Sequence, residues 1–282
     1  MCRSTSPRLN TCAWLAAIAA CVFLGPWAEG ASAQAVSKDL FQSPNHAQTE
    51  AVHDRNCKIL YAGIVGGLET PNNKRSGVVQ MRDTLGGPIY TYICAKTFSP
   101  YHWMAGRNWI LNYFPKHPGP MSEVELEQAP KVVIVGHSLG GWAALSVARS
   151  LDSKGIPVEL TVQVDSVGVT DRTVPKNVKA AAIFHARDIL MLLTTKKITV
   201  KDASQTKLVA NIRVEGVGHE SITRDARIRE MVLSTIDSLR ADATSSDGRQ
   251  AEASSEQGAG ASEANRLDSA DVTLPSTGRL NR

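Results

Sequence analysis

The segment that most constrains the fold is a continuous apolar run, Lys131 to Val135, that passes through the sequence GHSLGG at 136–141 into a helical pattern ending at Leu151. A strand without alternating polar residues is typical of a parallel strand that is covered on both faces. Parallel strands are joined by crossover connections, which are usually helices. The segment therefore predicts an α/β protein.

The same alternation of strand and helix patterns continues on both sides of this segment. Apolar, β-prone runs predict strands at 58–67, 89–98, 131–135, 158–164, 180–184 and 208–214. Apolar residues at helical spacing predict helices at 76–85, 102–114, 139–151 and 223–239. We expect an α/β fold with a mostly parallel central sheet and helices on both faces, and no insertion is large enough for a lid domain.

The N-terminal residues 1–33 have the pattern of a signal peptide. Two arginines precede an apolar run at 12–25, and Ala-Ser-Ala at 31–33 is a small-x-small cleavage pattern. The run is shorter than the roughly 20 apolar residues of a membrane-spanning helix. We expect a bacterial protein that is exported, periplasmic or secreted, without an integral membrane segment in the mature chain. A lipid anchor at Cys21, in a lipobox-like sequence, is the alternative.

The C-terminal residues 241–282 differ in composition from the middle of the chain. They are rich in Ser, Ala, Gly and acidic residues and contain no aromatic residue. Such a segment buries too little apolar surface to offset its chain entropy, which predicts a disordered tail. The predicted folded domain is 34–240. The net charge of +4 is spread over scattered bases, so we expect no nucleic-acid partner.

Two cysteines, Cys57 and Cys94, remain after cleavage at Ala33. An oxidising compartment favours a disulfide between them. However, Cys57 precedes one predicted strand and Cys94 lies about five residues into the next, an offset of about 16 Å. A bridge needs Cα atoms within about 7 Å, so two unpaired buried cysteines are the competing expectation.

The clearest chemical motif is Gly136-His137-Ser138-Leu139-Gly140, a G-x-S-x-G between a strand and a helix. This pattern is typical of a nucleophile elbow, in which a serine on a strained turn projects into a cleft. The glycines leave room where strand and helix approach each other closely. The free amides at the start of the helix favour negative charge at the same place.

The order of strand, GHSLGG, helix, acid and late histidine resembles the α/β-hydrolase superfamily, in particular its bacterial lipase, esterase and thioesterase-like members. The resemblance covers residues 58 to 240. It implies that Ser138 is the nucleophile and that the acid and the base follow it in the chain. It also implies that His137 is structural, with a side chain that points away from the serine.

A serine hydroxyl needs an adjacent base, and His219 lies where the superfamily carries it, between the last strand and the last helix. Two residues compete for the acid that would orient this histidine. Asp165 ends the strand after the elbow helix, and Asp188 follows the next strand. We favour Asp165 and keep Asp188 as the second candidate.

The oxyanion requires two amides. We expect one from Leu139, which follows the nucleophile, and one from the loop after the first strand, at Gly67 or Leu68. Aromatic residues cluster between Tyr90 and Phe114, which indicates either core packing or an acyl pocket lined by the residues after the second strand. The candidates for that substrate-binding role are Tyr101, His102 and Trp103.

The sequence lacks a complete nucleotide-binding glycine motif and a zinc-ligand spacing, so we expect no cofactor and no metal. The predicted function is a serine hydrolase that cleaves a small-molecule carboxylic ester or thioester, with lipids among the candidate substrates. Two alternatives remain: an acyltransferase with the same triad, and a noncatalytic binding module on the same fold.

Overall fold

The computed structural model describes residues 57–116, 121–168, 172–186 and 195–241. The predicted signal peptide and the C-terminal tail from residue 242 onwards lie outside these ranges. The chain divides into two units, 1–232 and 233–282, and the described part of the second is the end of one helix, 233–241.

A parallel sheet forms the centre of the first unit. Its six strands are β1 (Ile59–Ile64), β2 (Ile93–Phe98), β3 (Lys131–His137), β4 (Val158–Val164), β6 (Val178–Ala186) and β8 (Lys207–Val214). They lie in the order β2-β1-β3-β4-β6-β8, and every neighbouring pair is parallel. Two short strands, β5 (Thr173–Val174) and β7 (Thr199–Val200), pair separately. The predicted parallel sheet is confirmed.

The described part of the chain contains five helices, of which the first packs on one face of this sheet and the second and fourth pack on the other. They are α1 (Gly77–Leu85), α2 (Trp103–Leu111), α3 (Glu123–Gln128), α4 (Leu139–Asp152) and α5, at 226–241. The 3₁₀ turns Pro100–His102 and Ser221–Arg224 precede α2 and α5, respectively. Among the described residues, no helix is both long enough and apolar enough to cross a membrane.

Alternate residues of each central strand point to opposite faces, as the pleat requires. In β1, Leu60 and Ile64 belong to the core cluster that also contains residues of α2 and α4. Tyr61 points to the other face, where its hydroxyl donates a hydrogen bond to the Val78 carbonyl of α1 at 3.1 Å. Every residue of β1 is buried, which explains the uninterrupted apolar pattern.

Cys57 and Cys94 form a disulfide, with Cα atoms 5.6 Å apart. The expected 16 Å offset was wrong because β2 begins at Ile93 rather than at 89. Cys94 is therefore the second residue of the strand, and it pairs with Leu60 in β1. The bridge joins the amino ends of two neighbouring strands.

Candidate active site

Ser138, Asp165 and His219 come together at the carboxyl edge of the main sheet. Ser138 follows β3, Asp165 follows β4, and His219 lies in the connection between β8 and the final helix. The carboxyl ends of parallel strands meet at one edge, which is where open α/β sheets bind ligands. Residues 81 positions apart in the chain thereby become neighbours.

The backbone of Ser138 has φ 55° and ψ −124°, outside both the helical and the extended regions. Its N–H donates to the Val164 carbonyl at 2.9 Å, and its own carbonyl accepts from Gly141 N–H at 2.9 Å. At Gly140 a side chain would collide with the carbonyl oxygens of Ile64 and Val65. These contacts explain why the turn requires glycine beside the serine.

The three side chains form a continuous chain of hydrogen bonds. The His219 Nδ1–H donates to Asp165 Oδ2 at 2.6 Å, and the Ser138 hydroxyl lies 2.8 Å from His219 Nε2. A carboxylate can only accept, so Nδ1 carries the proton and Nε2 is free to accept the serine proton. Chemically, such an arrangement can supply a nucleophile, a general base and an orienting acid.

Asp165 is fully buried, and its backbone has φ 44°. Its second carboxylate oxygen, Oδ1, accepts a hydrogen bond from the Ala186 N–H at 3.1 Å. Both oxygens of this carboxylate are therefore hydrogen-bonded, as a buried charge requires. The other candidate acid, Asp188, lies outside the described residues, so its place relative to His219 stays a prediction.

The predicted oxyanion amides lie on two segments beside Ser138. Leu139 is the first residue of α4, so its N–H has no partner within the helix. Gly67 approaches the Leu139 side chain, since a Cβ at Gly67 would lie 3.5 Å from Leu139 Cδ2. Leu68 is 58% exposed and lines the same cleft as Ser138. Their roles as oxyanion donors stay a prediction.

The cleft above Ser138 has a volume of about 330 Å³. Most of the residues around it are polar or charged. They are Gly66, Leu68, Glu69, Asn73, Arg75, Ser76, His137, Ser138, His219, Glu220 and Arg224.

The three aromatic candidates Tyr101, His102 and Trp103 are not among the residues that line this cleft. Tyr101 and His102 are exposed, and Trp103 packs against the core. A contact between these three side chains and a substrate stays a prediction.

The structure adds two residues, His137 and Glu69, that the sequence did not assign to the site. The His137 ring packs against His219: its ring centroid lies 4.8 Å from that of His219, and its Nε2 lies 2.8 Å from the His219 carbonyl oxygen. Its Nδ1 lies 3.0 Å from Glu69 Oε1. The sequence signal for these two residues is only their position near strand ends, since His137 is the last residue of β3 and Glu69 lies in the loop after β1.

Glu69 is held in its charged form. Burial by itself would raise the pKa of its carboxyl, but the contact with His137 and the positive charge there outweigh burial and lower this pKa. The contact with His137 thus favours the charged form of the Glu69 carboxyl beside the serine.

Comparisons with known proteins give matches among solved structures, at low sequence identity and low TM-score. Neither a scan against protein-family models nor a search of curated proteins gives a match. Among solved structures, Est1E from Butyrivibrio proteoclasticus is 13% identical, with a TM-score of 0.39 and coverage of 65% of this chain and 90% of that one.

Two further structures show a comparable degree of similarity. The thioesterase domain SrfTE, which cyclizes the lipopeptide antibiotic surfactin, is 14% identical, with a TM-score of 0.38 and coverage of 64% and 93%. XC6422 from Xanthomonas campestris, described as an a/b serine hydrolase without lid, is 12% identical, with a TM-score of 0.33 and coverage of 63% and 81%.

Similarity at this level does not transfer an activity, so the assignment depends on the features of the chain itself. These features are six parallel strands, helices on both faces, and a serine on a strained turn between a strand and a helix. The chain has the α/β-hydrolase fold.

Proposed function

We propose that this protein is a serine hydrolase that cleaves a carboxylic ester or thioester. The observation that carries the proposal is the continuous chain of hydrogen bonds from Asp165 through His219 to the Ser138 hydroxyl. A serine needs an adjacent base to become a strong nucleophile, and the base needs a partner that fixes its tautomer. Both conditions are met by buried or half-buried side chains.

The proposed reaction passes through an acyl-enzyme. His219 Nε2 takes the Ser138 proton while Oγ attacks the acyl carbonyl carbon, and the carbonyl oxygen becomes an oxyanion. The amide of Leu139 and one from 67–68 stabilise this charge, each by on the order of 3 kcal/mol. His219 then gives its proton to the leaving alcohol or thiol. A water molecule attacks the acyl-enzyme in the second half and releases the carboxylic acid.

The polar lining of the cleft supports a small or polar substrate rather than a long apolar chain. Charged side chains lie around Ser138, and among the described residues that line the cleft Leu68 is the only large apolar one. Apolar acyl chains gain affinity in proportion to the apolar surface that they bury, and large apolar side chains supply most of such surface. We therefore expect short-chain esters and thioesters to react faster than long-chain ones.

Export to an oxidising compartment is also part of the proposal. The N-terminal residues have the pattern of a signal peptide, and the Cys57–Cys94 disulfide is typical of proteins from oxidising compartments.

A fluorophosphonate probe tests the nucleophile, because it reacts covalently with activated serines. We expect the probe to label the wild type and not Ser138→Ala. Ser146→Ala is the matched control, since its hydroxyl lies on α4, the helix that follows Ser138, and donates within that helix to the Trp142 carbonyl. Equal labelling of the wild type and Ser138→Ala would refute the proposal.

A panel of p-nitrophenyl esters and acyl thioesters, assayed with and without a competing alcohol, then identifies the substrate class. Release of free acid in the presence of the alcohol supports a hydrolase. Exclusive transfer of the acyl group to the alcohol would instead identify an acyltransferase.

A further inference from the structure

His137 stands between the two loops that complete the site. On one side is the loop after β1, which contains the candidate oxyanion amides and Glu69. On the other is the connection after β8, which carries His219. The His137 ring is 2% exposed and touches both, through Nδ1 at 3.0 Å from Glu69 Oε1 and Nε2 at 2.8 Å from the His219 carbonyl oxygen.

Both neighbours of the ring are acceptors. A carbonyl oxygen can only accept, so His137 Nε2 carries a proton and donates it to the backbone of His219. The Glu69 carboxylate then faces Nδ1, and this contact is favourable when Nδ1 is protonated as well. Nδ1 makes no directed hydrogen bond, so its approach to Oε1 at 3.0 Å is a close contact between the ring and the carboxylate.

Glu69 differs from the other charged groups that line the cleft. Arg75, Glu220 and Arg224 are exposed, whereas the Glu69 side chain is 14% exposed. Its backbone N–H donates to the Gly66 carbonyl at 3.0 Å, which closes the turn that contains the candidate oxyanion amides. The contact of His137 with Glu69 therefore also fixes the position of this turn.

We propose that Glu69 and His137 are a positioning pair that fixes the oxyanion loop and the His219 loop relative to each other. The inference rests on the proposed function, and it assigns no proton transfer to either residue. The pair thereby keeps the positions of the proposed base and of the oxyanion donors relative to Ser138 constant from one turnover to the next. Displacement of a catalytic group by about 1 Å can cost about 100-fold in rate.

Glu69→Gln tests the pair, because it keeps the size of the side chain and removes its charge. We expect kcat for a p-nitrophenyl ester to fall about tenfold while KM stays within about twofold, since the loops lose alignment but the cleft keeps its walls. Glu215→Gln is the matched control: it also breaks an ion pair, with Arg213, on an exposed segment near His219. We expect wild-type kinetics for this control.

Ring spectra of ¹⁵N-labelled histidine provide a readout that does not depend on turnover. In the wild type the Nε2 proton of His137 should exchange slowly with water, because it is buried and bonded to the His219 carbonyl. In Glu69→Gln, this proton should exchange faster than in the wild type, because the ring is no longer held on its Nδ1 side. The His219 ring signals should also shift.

The outcomes separate this inference from the proposed function. Absence of fluorophosphonate labelling in the wild type refutes the proposed function. Fast exchange of the His137 proton in the wild type refutes the pair, even if Glu69→Gln does not fold. A kcat in Glu69→Gln equal to that of the wild type, or a similar loss in Glu215→Gln, refutes the positioning role.

Discussion

Ser138 and Asp165 share an unusual backbone conformation. Within the described ranges they are the only non-glycine residues with positive φ, at 55° and 44°. Each such residue costs of order 1–3 kcal/mol and persists only where its surroundings enforce it. Hydrogen bonds from both N–H groups to the adjacent strand enforce it here, to Val164 and Phe184 carbonyls respectively. Backbone strain therefore falls on two residues of the proposed triad.

Asp165→Asn should lower kcat by about four orders of magnitude with little change in KM. An amide at this position no longer stabilises the His219 imidazolium, and it favours the wrong tautomer of the ring. Steady-state kinetics on a p-nitrophenyl ester measure the effect, and circular dichroism checks that the variant is folded. Asp188→Asn serves as the comparison. If Asp188→Asn shows the large loss and Asp165→Asn does not, Asp188 is the acid.

At the scale of elements, the disulfide and the proposed site lie at opposite ends of the sheet. Cys57 precedes β1 and Cys94 is the second residue of β2, whereas Ser138 follows the carboxyl end of β3. Removal of the bridge should therefore lower the free energy of unfolding and leave the geometry of the proposed triad unchanged.

The double variant Cys57→Ser/Cys94→Ser should lose about 3–4 kcal/mol of unfolding free energy. The bridge closes a loop with a sequence separation of 37, and its removal frees that loop in the unfolded chain. Urea unfolding followed by circular dichroism measures the loss, and ester hydrolysis in the absence of urea should keep the wild-type kcat. A loss of kcat in fully folded protein would contradict the separation of bridge and site.

Asp225 precedes the final helix and caps its first turn, since its carboxylate accepts a hydrogen bond from the Arg227 N–H. The charge of this carboxylate makes the stability of the fold depend on pH. Hydrogen bonds from the Arg227 guanidinium and backbone N–H lower the pKa of the Asp225 carboxyl below its ordinary value of 3.8, against the opposing effect of burial. A lowered pKa in the folded state stabilises the fold above the ordinary pKa. This stabilisation is lost as the pH falls through the lowered value.

Asp225→Asn should therefore be less stable than the wild type at neutral pH, by up to about 1 kcal/mol after screening by solvent. The difference should shrink as the pH falls below 3.8. Urea midpoints at neutral and acidic pH measure it. A difference that is independent of pH would show that the charge of Asp225 does not contribute.

At the scale of the whole molecule, the sequence predicts most of the architecture because a parallel sheet buries whole strands. The continuous run of β3 and the serine turn after it can be identified from the sequence alone, and so can the parallel direction of the strands. The start of β2 is not, because Tyr90 lies in a β-prone run but belongs to a turn that begins at Gly87, with Tyr90 N–H donating to the Gly87 carbonyl.

Other parts of the structure are missed for different reasons. The helix α3 was not predicted, because its six residues are too few to show an apolar period. Its start is nevertheless marked in the sequence by Ser122 and Glu125, which form a capping box. The contact of Glu69 with His137 has no local signal, because it depends on how two loops distant in the chain meet at the sheet edge. The sequence thus indicates which residues end strands, but not which of their side chains meet.

The export proposal concerns the whole chain and is tested on the expressed protein. In a bacterial host we expect the mature protein to be periplasmic or secreted and to begin at Gln34, because the small-x-small pattern ends at Ala33. Mass spectrometry of the intact protein measures this. A mature protein that begins at Cys21 with an attached lipid, or that keeps Met1, would contradict it.

The position of the Cys57–Cys94 bridge has a practical consequence for anyone who handles this protein. Dithiothreitol added during purification would reduce the bridge. The catalytic rate of each folded molecule would stay the same, but the sample would unfold sooner on storage. Loss of activity on storage under such conditions would then report unfolding of the sheet, and an assay made directly after reduction would not reveal it.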